Sequence, residues 1–334
     1  MPRVDVIIPN YNHALFLEKR IRSVLDQTFQ DLDVILLDDA STDNSREVIA
    51  QFANDPRVRV ILNDTNSGNV FKQWNKGLKE ARGDYVWIAE SDDVADTRFL
   101  EELVGRLESH PKAGLAYCQT CLIDEADNRL GIVESNRPGL DPDHWKSDYF
   151  NDGRRELSDH LVLSCTIINA SSVIMRRAVA ERLGLVDENW RVAGDYYFWA
   201  RMLGESDIAF VAQPLNFLRT HVGSVSDGAR KSGVVVEETY RVVSYIADHV
   251  SIAPEALERA RALRFNSWIC YNEDSPFPVA RHKAIYAIAR RFDPHINRRI
   301  LTYLPLFPLR YVGRRIKRLV SQRLHRTTIQ GATP

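Results

Sequence analysis

Four apolar runs of strand length, Val4–Ile8, Asp33–Leu37, Val58–Leu62 and Tyr85–Ala89, alternate with stretches whose apolar residues recur at helical spacing. Leu17, Ile21, Val24 and Leu25 predict a helix over 13–27. Val48, Ile49 and Phe52 predict a second, with Ser41 or Thr42 as its cap. Trp74 and Leu78 predict a third, entered through Asn66-Ser-Gly-Asn69 and closed by Gly83. Strand–helix alternation with connections this long predicts an α/β fold, its sheet mostly parallel and its crossovers right-handed.

Each run ends in polar residues at its carboxyl edge: Asn10 and Tyr11, Asp38 and Asp39, Asn63 and Asp64, then Glu90, Asp92 and Asp93. In open α/β sheets, ligands bind at that edge. Three carboxylates within four residues repel one another unless a cation neutralises them. Oxygen ligands crowded there suit Mg²⁺ or Mn²⁺, and hence a phosphate-bearing ligand. A solvated turn, with Asp92 or Asp93 capping a helix before Phe99, is the alternative. Neither G-x-G-x-x-G after the first strand nor a G-x-x-x-x-G-K-[ST] loop occurs, so a bound diphosphate would be held through the metal.

The 334 residues, 44% hydrophobic and 27% charged, belong to the ordinary soluble class. A net charge of −1 conceals an asymmetry, because residues 281–326 carry 13 Lys/Arg against the single acid Asp293. Four cysteines make no disulfide framework in a chain this size. Cys118 and Cys121 lie in a stretch that reads as strand, without a second pair at zinc-ribbon spacing. The first residues contain no secretory h-region, and no run of apolar residues is long enough to span a bilayer. The expected compartment is the cytoplasm.

The ordered set of motifs resembles the inverting glycosyltransferases of family 2, with the GT-A fold. It comprises Val6-Ile-Ile-Pro-Asn-Tyr-Asn12, Leu37-Asp-Asp-Ala-Ser-Thr-Asp43, Asn66-x-Gly68 with Asn75-x-Gly77, and Ala81 through Asp93. Later pieces are Asn169 through Arg177, Gly194-Asp195 before Trp199 and Arg201, and Leu218-Arg-Thr-His221 with Ser224. The resemblance spans about residues 3–227. It implies a nucleotide site drawn from Pro9, Asn10, Tyr11, Asp39, Asn66, Gly68, Lys72 and Asp92. It implies a metal bound by Asp92, Asp93 and His221, and Asp195 as general base. The sequence departs from the family at Glu90, where an aspartate is usual, and at Gly194, where an acidic residue is usual. Asp195 as the cap of the helix that follows, His221 as a simple hydrogen-bonding residue and Lys72 as a solvated lysine are the alternatives.

Residues 124–164 are weakly patterned, and a GT-A enzyme builds its acceptor site in such a segment. Trp145, Tyr149 and Phe150 suit either stacking on a sugar or packing a loop onto the core. Beyond residue 230 the spacing turns helical, with candidates over 237–249 and 254–271. The basic segment 281–326 interleaves charge with apolar residues, which fits an anionic membrane surface or a solvated face of packed helices. No nucleic-acid motif accompanies the charge, and no nucleic-acid partner is expected.

The resulting reading is a GT-A domain over 1–228, with a nucleotide-binding half over 1–115 and an acceptor half over 116–228, followed by a helical basic extension over 229–334. It would move a sugar from a nucleoside-diphosphate sugar to a glycan or lipid-linked acceptor, peripheral to the cytoplasmic face of the membrane if the acceptor is lipid-linked. A sugar-nucleotide-binding module without transfer is the rival, and a nucleotidyltransferase a further one.

Overall fold

The computed structural model of the chain describes residues 3–133, 140–141, 143–221 and 231–303. Its strands are β1 (Val4–Asn10), β2 (Leu32–Asp38), β3 (Val58–Leu62), β4 (Tyr85–Ile88), β5 (Val94–Ala95), β6 (Ala113–Ile123), β7 (Arg129–Ile132), β8 (Tyr149–Asn151), β9 (Val173–Arg176) and β10 (Asp207–Arg219). They form one sheet ordered β3-β2-β1-β4-β9-β6-β10-β5, with β7 added beside β6 and β8 beside β10. The β3-β2-β1-β4 block is parallel, as is β6 with β10; β9 runs antiparallel to both β4 and β6. The strand order reverses at β1, where the chain winds outward to β2 and β3 and then returns to β4. A crevice therefore opens at the carboxyl ends of β1 and β4.

The helices follow from the apolar spacing: α1 (Ala14–Leu25), α2 (Ser45–Ala50), α3 (Val70–Glu80), α4 (Phe99–Ser109), α5 (Gly153–Glu156), α6 (Arg177–Leu183) and α7 (Gly194–Glu205). Then come α8 (Val234–His249), α9 (Pro254–Asp274), α10 (Val279–Phe292) and α11 (Ile296–Tyr303). Because both faces of the sheet are covered, its central strands are continuously apolar rather than alternating. Val6, Ile8, Val34, Leu36 and Trp87 pack beneath α1 and α4; Ile7, Ile35, Leu37, Val86 and Ile88 share the opposite core with Phe71, Trp74 and Trp199. That second core continues without a break into Val236, Tyr240, Phe265, Trp268 and Tyr303 of the C-terminal helices.

Several local expectations are revised. The second helix starts at Ser45 and not beside Ser41 or Thr42; Asp43 Oδ1 accepts the Ser45 amide at 3.0 Å. Arg98, not Asp92 or Asp93, precedes α4, so the acidic turn is not a helix cap. Trp145 is 6% exposed, and its indole N–H donates to Tyr117 Oη at 2.7 Å. Tyr149 bonds Tyr117, and Phe150 stacks on His110. These aromatics hold their loop to the core. Cys118 and Cys121 are buried in β6. Within the basic segment, Arg281 pairs with Glu237 and Arg299 with Asp293 and Glu258, while Ile285, Ala289, Phe292 and Ile296 are buried, so residues 281–303 are a packed helical face. Residues 304–326 of that segment and Ser224 lie outside the described residues. Among the described residues, no helix is long and apolar enough to cross a membrane.

Candidate active site

The turn after β4 divides its three carboxylates among three environments. Glu90 turns inward: its Oε1 accepts the Trp74 indole N–H at 2.8 Å, and burial, then the Asp92 charge, push its pKa up to about 8. Asp93 is 1% exposed, and both its oxygens are engaged. Oδ2 accepts from Asn169 Nδ2 at 2.7 Å, and Oδ1 accepts the Arg219 amide at 3.0 Å. The guanidinium of Arg20, wholly buried, lies 3.8 Å away. Burial first, and the Asp92 charge second, raise Asp93 to about 6.

Asp92 is partly exposed. Its Oδ2 is 3.0 Å from His221 Nε2, and His13, Asp92 and His221 hold one ligand atom each within 4.8 Å of one another. Burial works to raise the Asp92 pKa, but the hydrogen bond with His221 and the neighbouring His13 outweigh it and hold it below the ordinary carboxylate value. His13 Nδ1 lies 2.8 Å from Ser91 Oγ, which turns its other nitrogen free of that contact. Two imidazoles and a carboxylate form a donor set fit for a divalent ion, and one that suits Mn²⁺ better than Mg²⁺. Of the three residues expected at the metal, Asp92 and His221 lie together with His13 beside them, while the oxygens of Asp93 bond Asn169 and the Arg219 amide. His13 carries no spacing signal in the sequence, since a lone histidine opening a helix is unremarkable.

The expected nucleotide residues gather at the ends of β1, β2 and β3. Pro9 and Asn10 are buried at the end of β1, where Asn10 Nδ2 donates to Asp38 Oδ1 at 3.0 Å and Asn10 Oδ1 has no protein partner. Tyr11 is 45% exposed at the rim. Asp39, expected in the nucleotide site, is 5% exposed, and both its oxygens bond inside the protein. It accepts from Asn63 Nδ2, the Ser67 amide and hydroxyl, and Gln73 Nε2 at 2.7–3.1 Å. These bonds fasten the 66–69 loop. In that loop Asn66 Oδ1 accepts the Gly68 amide at 2.6 Å, and Gly68 holds φ +70°, which suits a residue without a Cβ. Asn69 caps α3 through Phe71 N at 2.8 Å. Lys72 is exposed, its Nζ donating to the Ser67 carbonyl at 3.2 Å.

Asp195 sits in the first turn of α7, not at its cap, which is Ala193. Its Oδ1 accepts the neighbouring Tyr196 amide at 2.7 Å, and burial pushes its pKa up to about 6. The glycine before it has a steric cause. A Cβ on residue 194 would lie 2.6 Å from the Phe71 ring, so α7 meets α3 only where residue 194 has no side chain. That contact brings Asp195 beside the first turn of α3, next to the loop fastened by Asp39.

The doubly wound half-sheet, the rim at its switch point and the antiparallel β9 define a GT-A protein. A family profile described as "Glycosyl transferase family 2" matches residues 5–183, and the chain belongs to that family. A Campylobacter jejuni protein, "GalNAc(5)-diNAcBac-PP-undecaprenol beta-1,3-glucosyltransferase", is 32% identical over 130 residues, 38% of this chain and 41% of that one. The first curated relatives are matched over 54%, 35% and 44% of their own length. Among solved structures, S. aureus TarS 1–349 in complex with UDP-GlcNAc superposes with TM-score 0.65 at 17% identity, covering 92% of this chain and 89% of that one. The mannosyltransferase PcManGT of Pyrobaculum calidifontis, in complex with GDP-Man and Mn²⁺, does so with TM-score 0.56 at 16% identity, covering 93% and 87%. At these identities the likeness is one of fold.

Proposed function

We propose that the chain transfers a sugar, with inversion and with the help of a divalent metal, from a nucleoside-diphosphate sugar to a hydroxyl of a glycan or lipid-linked acceptor. The observation that carries this reading is the division of labour at the rim. One partly exposed carboxylate, Asp92, is flanked by two imidazoles, and a second carboxylate, Asp195, is held apart with raised proton affinity.

In this reading the nucleotide lies along the ends of β1 to β3, against Pro9, Asn10 and the exposed Tyr11. Asn66, Gly68 and Lys72 border it from the loop that Asp39 secures. His13, Asp92 and His221 would hold the metal, which would neutralise the charge that builds on the departing diphosphate. Asp195 takes the proton of the acceptor hydroxyl as that oxygen attacks the anomeric carbon from the face opposite the diphosphate. The new C–O bond forms as the bond to phosphate breaks, and the electron pair leaves with the nucleoside diphosphate. The likeness to the Campylobacter undecaprenol-linked glucosyltransferase, and the sugar nucleotides held by TarS and PcManGT, support a donor and an acceptor of these classes. A lipid-linked acceptor goes with a place at the cytoplasmic face of a membrane.

The test is a thermal-shift screen of UDP, GDP, dTDP and CDP, each with and without Mn²⁺ or Mg²⁺. A metal-dependent shift with one of them, lost in Asp92→Ala, is the expected result and names the donor's base. No metal-dependent shift with any would sink the reading.

A further inference from the structure

The segment that delivers Asp195 is fastened from two sides. On one side α3 holds it: Asn75 bonds both the carbonyl and the amide of Val186, at 2.8 and 2.9 Å. Asn69 Nδ2 donates to the carbonyls of Glu188 and Trp190 at 2.8 and 3.0 Å. On the other side stands Glu238 of α8, 4% exposed. Its carboxylate accepts the amides of Arg191, Val192 and Ala193 at 2.8, 3.0 and 2.9 Å.

Three successive amides converging on one buried carboxylate form a nest, and they lead into the amino end of α7, where a negative charge is favoured. No side chain of the Ala193 cap position satisfies that end. Glu238, from another helix, holds the three amides just ahead of it. The next residue is Gly194, pressed against Phe71, so residues 191–194 have little room to shift. The helix carrying Glu238 is itself anchored, since the neighbouring Glu237 pairs with Arg241 and with Arg281 of α10.

We propose that Glu238 is a positioning residue for sugar transfer: by holding the three amides ahead of Gly194, it fixes where Asp195 stands when the acceptor arrives. This rests on the reading of Asp195 as the general base. It makes the C-terminal helices part of the catalytic apparatus, although no residue of theirs need touch the donor. A carboxylate is required and an amide does not replace it, because an amide NH₂ would face backbone N–H groups that it cannot accept from.

The experiment compares Glu238→Gln and Asp195→Asn with the unaltered full chain. It uses the sugar nucleotide whose diphosphate shifts the melting temperature and reads the release of nucleoside diphosphate. For Glu238→Gln, kcat should fall on the order of 10- to 100-fold through misplacement of the base. The KM for the donor should stay within about threefold, as in the loss of an interaction made only in the transition state. The acid limb of the pH profile should also move slightly to lower pH: burial is the main cause of the raised Asp195 pKa, and the Glu238 charge adds to it. Loss of turnover in Asp195→Asn, with unchanged kcat and acid limb in Glu238→Gln, would overturn the positioning role alone. Full turnover in Asp195→Asn would overturn the base assignment and this inference with it. Amide hydrogen exchange on the unaltered chain tests the contact without any substitution. Protection of residues 191–193 to the level of core amides is expected, and exchange at the rate of an open loop overturns the proposal.

Discussion

The ring of Phe71 stands 2.6 Å from where a β-carbon on residue 194 would be, so the first turns of α3 and α7 touch at a position that any side chain would crowd. Restoring an acidic residue there, as Gly194→Asp, forces the two helices apart. The overpacking should cost about 1–3 kcal/mol of stability. Because α3 also carries the loop bordering the nucleotide, both Tm and donor affinity should drop. Gly194→Ala should show the same two effects at smaller size, as calorimetry and titration would read.

The cluster of His13, Asp92 and His221 predicts a metal preference. Two nitrogen donors favour Mn²⁺ over Mg²⁺. Turnover measured against metal concentration should saturate at lower Mn²⁺ than Mg²⁺. His13→Ala should raise the Mn²⁺ concentration needed by about 10-fold or more. Equal dependence on metal in the wild type and in His13→Ala would remove His13 from the ligand set.

Asp195, with its pKa at about 6, predicts an acid limb. Only the ionised carboxylate can accept a proton, so kcat/KM should fall tenfold per pH unit below about 6. Asp195→Asn should lose about 10²–10⁴-fold. Stability has the opposite sense. A folded pKa raised above the unfolded value adds stability that is complete below about pH 4 and lost as pH rises through 6. Asp195→Asn should therefore melt higher than the wild type at pH 8, by no more than about 3 kcal/mol, and lose that advantage at pH 4.

Asp39 and Tyr11 should separate in their effects. Asp39→Ala strands the donors of Asn63, Ser67 and Gln73 in a buried place and should destabilise the protein by roughly 3 kcal/mol even without nucleotide. Tyr11→Ala, at an exposed ring, should leave the melting temperature of the free protein alone and weaken nucleotide binding. Denaturant titration and nucleotide titration of the two variants distinguish the roles.

Much of the fold was legible because the central strands are buried on both faces. Runs such as Val4–Ile8 and Tyr85–Ala89 then stand out unbroken, and the polar residues that end them mark one edge. What stayed hidden was direction. Asp92 and Asp93 are adjacent and chemically identical, yet successive side chains diverge, so one faces the crevice and the other meets Asn169 and the Arg219 amide. Likewise the residue type of Asp39 does not say that Ser67 and Gln73 use its oxygens. His13 and Glu238 meet partners distant in the chain, Glu238 the Ala193 amide and His13 the His221 ring. Single residues without a repeating pattern give no sign of such pairings.

The buried side chains of Trp74 and Tyr196 belong to the same interior as Tyr240, Trp268 and Tyr303. A hybrid joined between residues 221 and 231 would inherit half an interior from each parent, with mismatched volumes along the whole seam. Recombination between relatives is therefore penalised at what looks in the sequence like the natural crossover point. Diversification is steered instead to surface segments such as 130–132, whose residues are exposed and can be exchanged without refitting the inside.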